Sequence, residues 1–354
     1  MTPPLHVVVP ADVADPELPS GGNVYDRRVG RALIEAGRTV VEIPVAGSWP
    51  RPGPQDRAAL AAALAGLPDG AVVVLDGLVG CGVPDVVVPQ AGRLALVVLV
   101  HLPLGEESPQ LAALEREVLH AAGAVVATSG WTARRIVERH GLPADRVRVA
   151  EPGVVAAPLA AGSGGGRLLC VGSISPTKGQ DVLVAALAQV ADRPWTCELV
   201  GALRRAPEHV AAVRREIADH GLGDRVRVAG PLVGAELAAA YAAADLLVLP
   251  SRVEAYGMVA TEALARGIPV LASDVGGVPE ALGGDPVPGI LVTPGDAAAL
   301  AAALRRWLDD PGLRAELRHA AALRRPALHG WEVTARCLAT TVDAVMRTRA
   351  GRHG

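Results

Sequence analysis

Residues 250–280 read PSRVEAYGMVATEALARGIPVLASDVGGVPE, which combines a strand end, a turn, a short helical pattern and the next strand. The turn holds Glu254, and the helical pattern begins near Gly257. A strand, a crossover helix and a second strand indicate parallel pairing. We therefore expect Glu254 at the carboxyl edge of a parallel sheet, where ligands bind in open α/β folds.

The same alternation of apolar runs and helical patterns extends along the chain of 354 residues. Runs such as VVVLDG (72–77) and LALVVLVH (94–101) are apolar on both faces, as strands of a covered parallel sheet require. Helical spacing covers stretches such as Val24–Ala36 and Glu107–Ala122. These patterns predict an α/β fold with two Rossmann-like, doubly wound domains that face a central cleft.

The segment 156–167 is rich in Ala, Gly, Ser and Pro, and it is the best linker candidate. A linker at this position divides the chain into predicted domains at 1–158 and 159–330. The remaining residues, 331–354, are predicted to form a C-terminal helix that crosses back to the first domain.

The chain contains one lysine, Lys178, beside 33 arginines. Lys178 follows an apolar strand (168–172) and a turn of Gly, Ser, Pro and Thr, and a helical pattern comes next. A compact ammonium at a strand-to-helix turn suits a phosphate oxygen. The alternative is a solvated loop lysine, but the single lysine in such a turn favours the phosphate interpretation.

Composition excludes several classes of protein. The net charge of −3 argues against nucleic acid or an anionic membrane as the main partner. The four cysteines lack metal-ligand spacing, which predicts free thiols in a reducing compartment. The N-terminus has no basic start, and no uninterrupted apolar run reaches bilayer length. We expect a cytoplasmic bacterial protein without integral membrane association, and its oligomeric state is open.

The spacing from Glu254 to Glu262, with seven residues between them, and the following GIPVLASDVGGVPE (267–280) carry a family resemblance. They resemble the donor-binding signature of retaining glycosyltransferases of family 4, which have the GT-B fold. The resemblance is strong from Leu168 to about Pro294 and weak in the first half. It implies an enzyme that moves a hexose from a nucleotide-diphosphate sugar to an acceptor hydroxyl, by metal-independent front-face attack.

By this resemblance, Glu254 would bind hydroxyls of the donor sugar and Glu262 would bind the nucleotide ribose. Lys178 would contact the diphosphate. Backbone amides of the turn would contact sugar and phosphate: those of Gly257, Met258 and Val259. Without the resemblance, Glu254 would be a helix cap and Glu262 a helix-surface charge.

The chain departs from the family at two positions. Many members have arginine after the glycine at 172, whereas this chain has Ser173, so Lys178 should carry more of the leaving-group charge. Tyr256 stands where phenylalanine is frequent, and it would add a hydroxyl near the donor. Leu232 lies in the loop that would pack the nucleobase.

In the first half, Ser20 to Asn23 resembles the family's glycine-rich loop toward the donor phosphates, with Gly21, Gly22 and Asn23 as its contacts. A plain tight turn is the alternative. His101 ends a strand, and by resemblance it would hydrogen-bond the donor hexose; a structural strand-end histidine is the alternative. Weaker acceptor candidates are Asp76, Gly77 and Arg252.

No cofactor and no metal site are predicted; the nucleotide sugar is a co-substrate, with a UDP-sugar favoured over a GDP-sugar. Residues 1–150 hold 13 Arg against 16 Asp plus Glu, which favours a small-molecule or natural-product acceptor over a lipid. The alternative functions are a sugar-nucleotide epimerase or phosphorylase of the same fold, or a non-catalytic sugar-binding protein.

Overall fold

Every strand pairing in the described residues, 3–106 and 108–351 of the computed structural model, is parallel. The strands form two six-stranded sheets, one in each of two units. The first unit contains Gly21–Gly153, the residues up to Ala14 and the segment from Trp331 onward. The second unit contains Val154–Gly330 and Asp15–Ser20. The predicted α/β class is confirmed.

The sheet of the first unit has the order β2-β1-β3-β4-β5-β6. Its strands are β1 (Leu5–Pro10), β2 (Val40–Val45), β3 (Val72–Asp76), β4 (Ala95–Val100), β5 (Ala124–Ala127) and β6 (Val147–Val149). Its helices are α1 (Gly21–Glu35), α2 (Pro54–Ala65), α3 (Gly77–Gly80), α4 (Pro84–Val87), α5 (Pro109–Ala121) and α6 (Gly130–His140). Short 3-10 turns cover Ala11–Ala14, Val88–Gln90, Leu104–Glu106 and Ala144–Arg146.

The sheet of the second unit has the order β12-β11-β10-β7-β8-β9. Its strands are β7 (Arg167–Val171), β8 (Thr196–Val200), β9 (Val226–Gly230), β10 (Leu246–Leu249), β11 (Val270–Ser273) and β12 (Gly289–Val292). Its helices are α7 (Gln180–Ala188), α8 (Pro207–Asp219), α9 (Gly234–Ala243), α10 (Met258–Leu264), α11 (Val278–Leu282), α12 (Ala297–Asp309) and α13 (Pro311–Arg324). Pro176–Lys178 and Arg325–Ala327 are 3-10 turns.

The central strands are buried on both faces, which explains their continuous apolar sequence. All residues of β3 and β4 are buried in the first unit, and all residues of β10 and β11 in the second. The C-terminal helix, Trp331–Ala350, packs within the first unit against α1, where the Trp331 and Tyr25 rings meet edge to face at 5.5 Å. No helix of the described ranges is long and apolar enough to span a bilayer.

One expectation about an element boundary was wrong, and one strand was not predicted. Helix α1 begins at Gly21, so the predicted loop at Gly21–Asn23 is the first helical turn. Strand β12 lies in a stretch rich in Gly and Pro that reads as a loop, and it forms because Gly289 allows close approach: a Cβ there would lie 2.2 Å from the Val270 carbonyl oxygen. Glu107, the predicted start of a helix, lies outside the described residues, as do 1–2 and 352–354 within the predicted domains.

Candidate functional site

The candidate donor residues of the second unit lie in the loops that follow β7 and β10. These strands are neighbours at the centre of the sheet, where the strand order reverses. Open α/β sheets bind ligands beyond the carboxyl ends of strands at such a switch point. The motif around Glu254 and the turn that ends at Lys178 therefore share the most favourable binding position of this unit.

The structure brings Lys178 and Glu254 into direct contact. The Lys178 Nζ atom donates to Glu254 Oε2 at 2.6 Å, and the Ser251 hydroxyl donates to the same oxygen at 3.3 Å. The Lys178 side chain is 29% exposed and that of Glu254 is 13% exposed. A cation and an acceptor carboxylate are thus held side by side and remain accessible to a ligand.

Two glycines after β11 fix the position of the Glu254 turn. A Cβ at Gly276 would lie 1.7 Å from the Glu254 carbonyl oxygen, and one at Gly277 would lie 2.2 Å from the Ala255 carbonyl oxygen. The Gly277 N–H donates to the Glu254 carbonyl at 3.1 Å. Close backbone packing therefore requires the Gly-Gly pair of the motif.

The Lys178 turn is fixed in the same way. Gly179 has a φ of +69°, and a Cβ there would lie 2.1 Å from the Pro250 carbonyl oxygen. The Arg252 N–H donates to the Thr177 carbonyl at 2.8 Å, which joins this turn to the loop that follows β10. The two loops thus form one packed edge, and the spacing of Lys178 from Glu254 follows from it.

Arg252, a weak acceptor candidate from the sequence, is engaged in an ion pair. Its guanidinium donates to both carboxylate oxygens of Asp181, at 2.8 and 2.5 Å, and to the Pro176 carbonyl at 2.8 Å. Burial raises the pKa of Asp181, but the Arg252 guanidinium outweighs it and holds that pKa below its usual value. Arg252 therefore supports the Lys178 turn.

Glu262 is held by a residue that sequence reasoning missed. The Tyr241 hydroxyl donates to Glu262 Oε2 at 2.8 Å, and the Arg266 guanidinium stacks 4.6 Å above the Tyr241 ring. Burial, followed by the nearby Glu262 charge, raises the pKa of Tyr241 well above its usual value, so the hydroxyl keeps its proton. Glu262 is half-buried and oriented, unlike a free helix-surface charge.

The remaining second-unit candidates differ in exposure. Helix α10 starts at Met258, after Gly257 with a φ of +96°, and Val259 is half-buried. Tyr256 is buried, with 5% of its surface exposed. The Ser173 hydroxyl donates to the Pro19 carbonyl at 3.2 Å, and both residues belong to the second unit. Leu232 is half-buried and packs against the core beneath α10.

The first unit has its own polar cluster, formed by Asp26, Asp76 and His101. Ligand-type atoms of these three side chains lie within 4.8 Å of one another. The His101 Nε2 atom is 3.0 Å from Asp26 Oδ1, and Asp76 accepts the Leu78 N–H at 2.7 Å as the cap of α3. Gly22 lies against the His101 ring, where a Cβ would approach Cδ2 to 3.2 Å. Asn23 is buried, and its amide donates to the Asp12 carbonyl at 3.1 Å.

The charges of this cluster favour shared protons. Burial first, and the Asp26 charge second, raise the pKa of Asp76 to about 7. Burial lowers the pKa of His101, but Asp26 outweighs it and raises that pKa to about 9. Near neutral pH, His101 is charged and Asp76 is partly protonated. This arrangement suits hydrogen bonds to a bound polar molecule better than it suits a metal cation. Protons would compete with the cation for the carboxylate oxygens and imidazole nitrogens of the cluster.

We expect this cluster to make stability depend on pH. Folded His101 keeps its proton up to about pH 9, whereas the unfolded chain loses it near pH 6.5. The folded state then binds more protons, so the free energy of unfolding should fall as the pH rises from about 6.5 to 8.5. Urea denaturation at both pH values measures this difference. A His101→Gln variant should lack this part of the decline; an equal decline in both proteins would contradict the assignment.

Two family models match consecutive parts of the chain. The model described as "Glycosyltransferase Family 4" matches residues 27–157, and the one described as "Glycosyl transferases group 1" matches residues 157–324.

Curated relatives include proteins named D-inositol 3-phosphate glycosyltransferase. The one from Thermobispora bispora is 38% identical over 244 residues, which cover 64% of this chain and 56% of the relative. The one from Kineococcus radiotolerans is 33% identical over 267 residues, covering 68% and 61%. The chain thus spans about three fifths of the length of these relatives.

Solved structures share the fold over nearly the whole chain, and they confirm the predicted GT-B fold. Sucrose-phosphate synthase from Thermosynechococcus elongatus has a TM-score of 0.82 at 24% identity, covering 98% of this chain and 100% of that one. HepE from Anabaena, in complex with UDP-glucose, has a TM-score of 0.76 at 20% identity, covering 96% and 99%. With the two family models meeting at residue 157 and extending over 27–324, the chain belongs to the family 4, group 1 glycosyltransferases.

Proposed function

We propose that this chain transfers a hexose from a nucleotide-diphosphate sugar to an acceptor hydroxyl, with retention of anomeric configuration and without a metal ion. The observation that carries the proposal is the contact of Lys178 with Glu254 at the switch point of the second sheet. A cation for a diphosphate and a carboxylate for sugar hydroxyls are the two groups that binding of such a donor requires. We assign donor binding mainly to the second unit and acceptor binding to the first.

In the proposed reaction, the bond from the anomeric carbon to the diphosphate oxygen breaks, and the acceptor oxygen bonds to the same face of that carbon. The acceptor proton passes to the departing phosphate oxygen, so no enzyme nucleophile is needed. Lys178 stabilises the charge that develops on the diphosphate, and its position beforehand avoids a reorganisation cost. Glu254 exchanges its bond with Lys178 for hydroxyls of the hexose and orients the anomeric carbon.

Other residues complete the donor site in this proposal. Glu262 accepts from the ribose hydroxyls, and Tyr241 holds it in place. Backbone amides near Gly257 contact sugar and phosphate, Leu232 packs by the nucleobase and His101 donates to a hexose hydroxyl. Ser173 contacts the phosphates in this proposal, and Gly21–Asn23 stay phosphate contacts predicted from the sequence alone.

A uridine donor is supported by the likeness in fold to HepE, whose structure contains UDP-glucose. A small polar acceptor with several hydroxyls is supported by the relatives, which are named for inositol 3-phosphate. The acidic balance of residues 1–150 fits a small acceptor better than an anionic lipid surface. A cytoplasmic location remains part of the proposal.

The test is to follow release of the nucleoside diphosphate from UDP-glucose and related donors with and without polyol and sugar-phosphate acceptors. Transfer predicts release that depends on the acceptor and a glycosylated product with the donor's anomeric configuration. Release at an equal rate without acceptor would contradict transfer, and conversion of the donor to an isomer would support an epimerase. Thermal shifts with UDP, GDP, ADP and dTDP would identify the preferred base.

A Glu262→Gln variant should bind UDP about 10-fold more weakly, because an amide replaces a charged acceptor of the ribose hydroxyls. Isothermal titration calorimetry measures the change. The matched control is Glu236→Gln, an exposed glutamate on α9, which should leave UDP affinity unchanged. Equal affinities for both variants would contradict the ribose role of Glu262.

A further inference from the structure

Asp26 is a buried acid that the proposed reaction does not use. It lies on α1, and its side chain is 2% exposed. Its Oδ1 atom is 3.0 Å from His101 Nε2. Burying a carboxylate costs several kcal/mol unless a counter-charge and hydrogen bonds compensate it, so the histidine is the partner that makes this position tolerable.

The second carboxylate oxygen of Asp26, Oδ2, needs a hydrogen-bond donor, and Asp76 could supply one. Asp26 Oδ2 is buried and has no hydrogen-bond partner among the heavy-atom donors of the described residues. Asp76 is buried in the same cluster, and its pKa of about 7 gives it a carboxyl proton over much of the neutral range. A proton shared by the two carboxyls would satisfy Oδ2 and reduce the repulsion between them.

His101 is restrained on several sides. Asp26 engages Nε2, the Tyr25 ring packs edge to face at 5.1 Å, and Gly22 lies against Cδ2. The His101 side chain is 19% exposed, and no hydrogen bond of its Nδ1 atom is recorded in residues 3–106 and 108–351. Nδ1 is therefore the ring atom left to meet a ligand.

We propose that Asp26 is a positioning residue: it holds His101 through Nε2, with Asp76 sharing a proton with Asp26, so that Nδ1–H donates to a hydroxyl oxygen of a bound sugar. The assignment of a sugar as the ligand rests on the proposed function. Without Asp26, a neutral imidazole with its proton on Nε2 would present Nδ1 as an acceptor. The acid thereby decides whether this histidine gives or receives the hydrogen bond.

The charge balance around His101 involves groups from α1 and from the end of β3. Among the described residues, the titratable groups that face His101 are Tyr25 and Asp26 from α1 and Asp76 from the end of β3. Tyr25 stays neutral, because burial raises its pKa well above the usual value, and its hydroxyl donates to the Ala150 carbonyl at 2.8 Å. Just after β5, the Thr128 hydroxyl donates to the His101 carbonyl at 3.1 Å and carries no charge.

The first test is NMR titration of the full chain labelled with 15N-histidine, from about pH 5 to 10, with the His101 signals assigned by their loss in His101→Gln. We expect wild-type His101 to keep both ring protons until about pH 9. In Asp26→Asn it should titrate at or below about pH 6.5, because burial remains and the counter-charge is gone. The control Asp85→Asn, an exposed acid paired with Arg57, should behave as wild type.

The second readout is transfer activity as a function of pH. Asp26→Asn should lose about 10–100-fold in kcat/KM at pH 8, as expected for one charged hydrogen bond, and should recover part of the loss near pH 6, where the imidazole regains its proton. A loss independent of pH, or a wild-type His101 that titrates below pH 7, would overturn the proposal. Absence of any transfer by the wild type would contradict the proposed function, whereas the titration tests Asp26 without a substrate.

The Asp76→Asn variant keeps the buried charge pair of His101 and Asp26. Its amide N–H can replace the carboxyl proton toward Asp26 Oδ2, so His101 should stay charged to about the same pH. A titration step near pH 7, seen in the wild type through the His101 shifts, should be absent. Persistence of that step in Asp76→Asn would overturn the shared proton.

Discussion

Lys178→Ala should lower kcat/KM for the nucleotide-sugar donor by about 10²–10³-fold, the usual cost of removing one preorganised group that stabilises a developing charge. The effect should be large because Ser173 supplies no cation at the neighbouring position, and Arg252 is engaged by Asp181. Steady-state kinetics with saturating acceptor measure the loss. Arg227→Gln, which removes an exposed cation of β9, should leave the rate unchanged.

A double variant separates two roles of Lys178. If the lysine only neutralises Glu254, then Lys178→Ala combined with Glu254→Gln should be as active as Glu254→Gln alone. If Lys178 binds the diphosphate, the double variant should remain about 10²-fold below that single variant, since the leaving group still lacks its cation. Equal activities would contradict the diphosphate role.

Gly276→Ala should disrupt the proposed donor site by displacing its backbone. The added Cβ would lie 1.7 Å from the Glu254 carbonyl oxygen, so the turn that carries Glu254 must move. The left-handed backbone, with a φ of +60°, adds its own strain. We expect the free energy of unfolding to fall by about 2–5 kcal/mol. Denaturant unfolding measures this loss, and calorimetry should show weakened nucleotide-sugar binding.

The matched control is Gly295→Ala. Gly295 has a φ of +75° and open space around its Cβ position, so it carries the backbone cost alone, about 1–2 kcal/mol. Hydrogen exchange should become faster in residues 251–258 of Gly276→Ala and stay unchanged there in Gly295→Ala. Equal effects of the two substitutions on donor binding would show that the close contact with the Glu254 carbonyl does not position the site.

Hydrophobic periodicity and residue composition were sufficient to predict most of the helices and strands. Strand β3, Val72–Asp76, lies within the predicted apolar run 72–77, because a run buried on both faces leaves little ambiguity. Strand β12 was not predicted, since its sequence carries Gly and Pro on both sides. A local pattern cannot show that this segment will pair with β11, where Val270 lies opposite Gly289. Helix α1 was predicted to start too late because glycines at its first turn read as a loop.

Part of the candidate functional site could be predicted from the sequence for a similar reason. Lys178 and Glu254 stand out locally, one by its uniqueness and the other by its spacing from Glu262. Tyr241 carries no such signal, since it lies 21 residues before Glu262 in an alanine-rich helix. Asp26 reads as one more polar residue of a helix, and only its burial beside His101 distinguishes it.

The sequence by itself determined the parallel α/β class, the family and the residue types of the proposed donor motif, because hydrophobic period and short-range spacing are properties of the chain. The tertiary structure alone decided which of those residues meet. The 2.6 Å contact across 76 residues arises from adjacent strands at a switch point, and the acid beside His101 comes from a helix 75 residues away. Such contacts depend on strand order and close packing of backbones, which a local pattern does not encode.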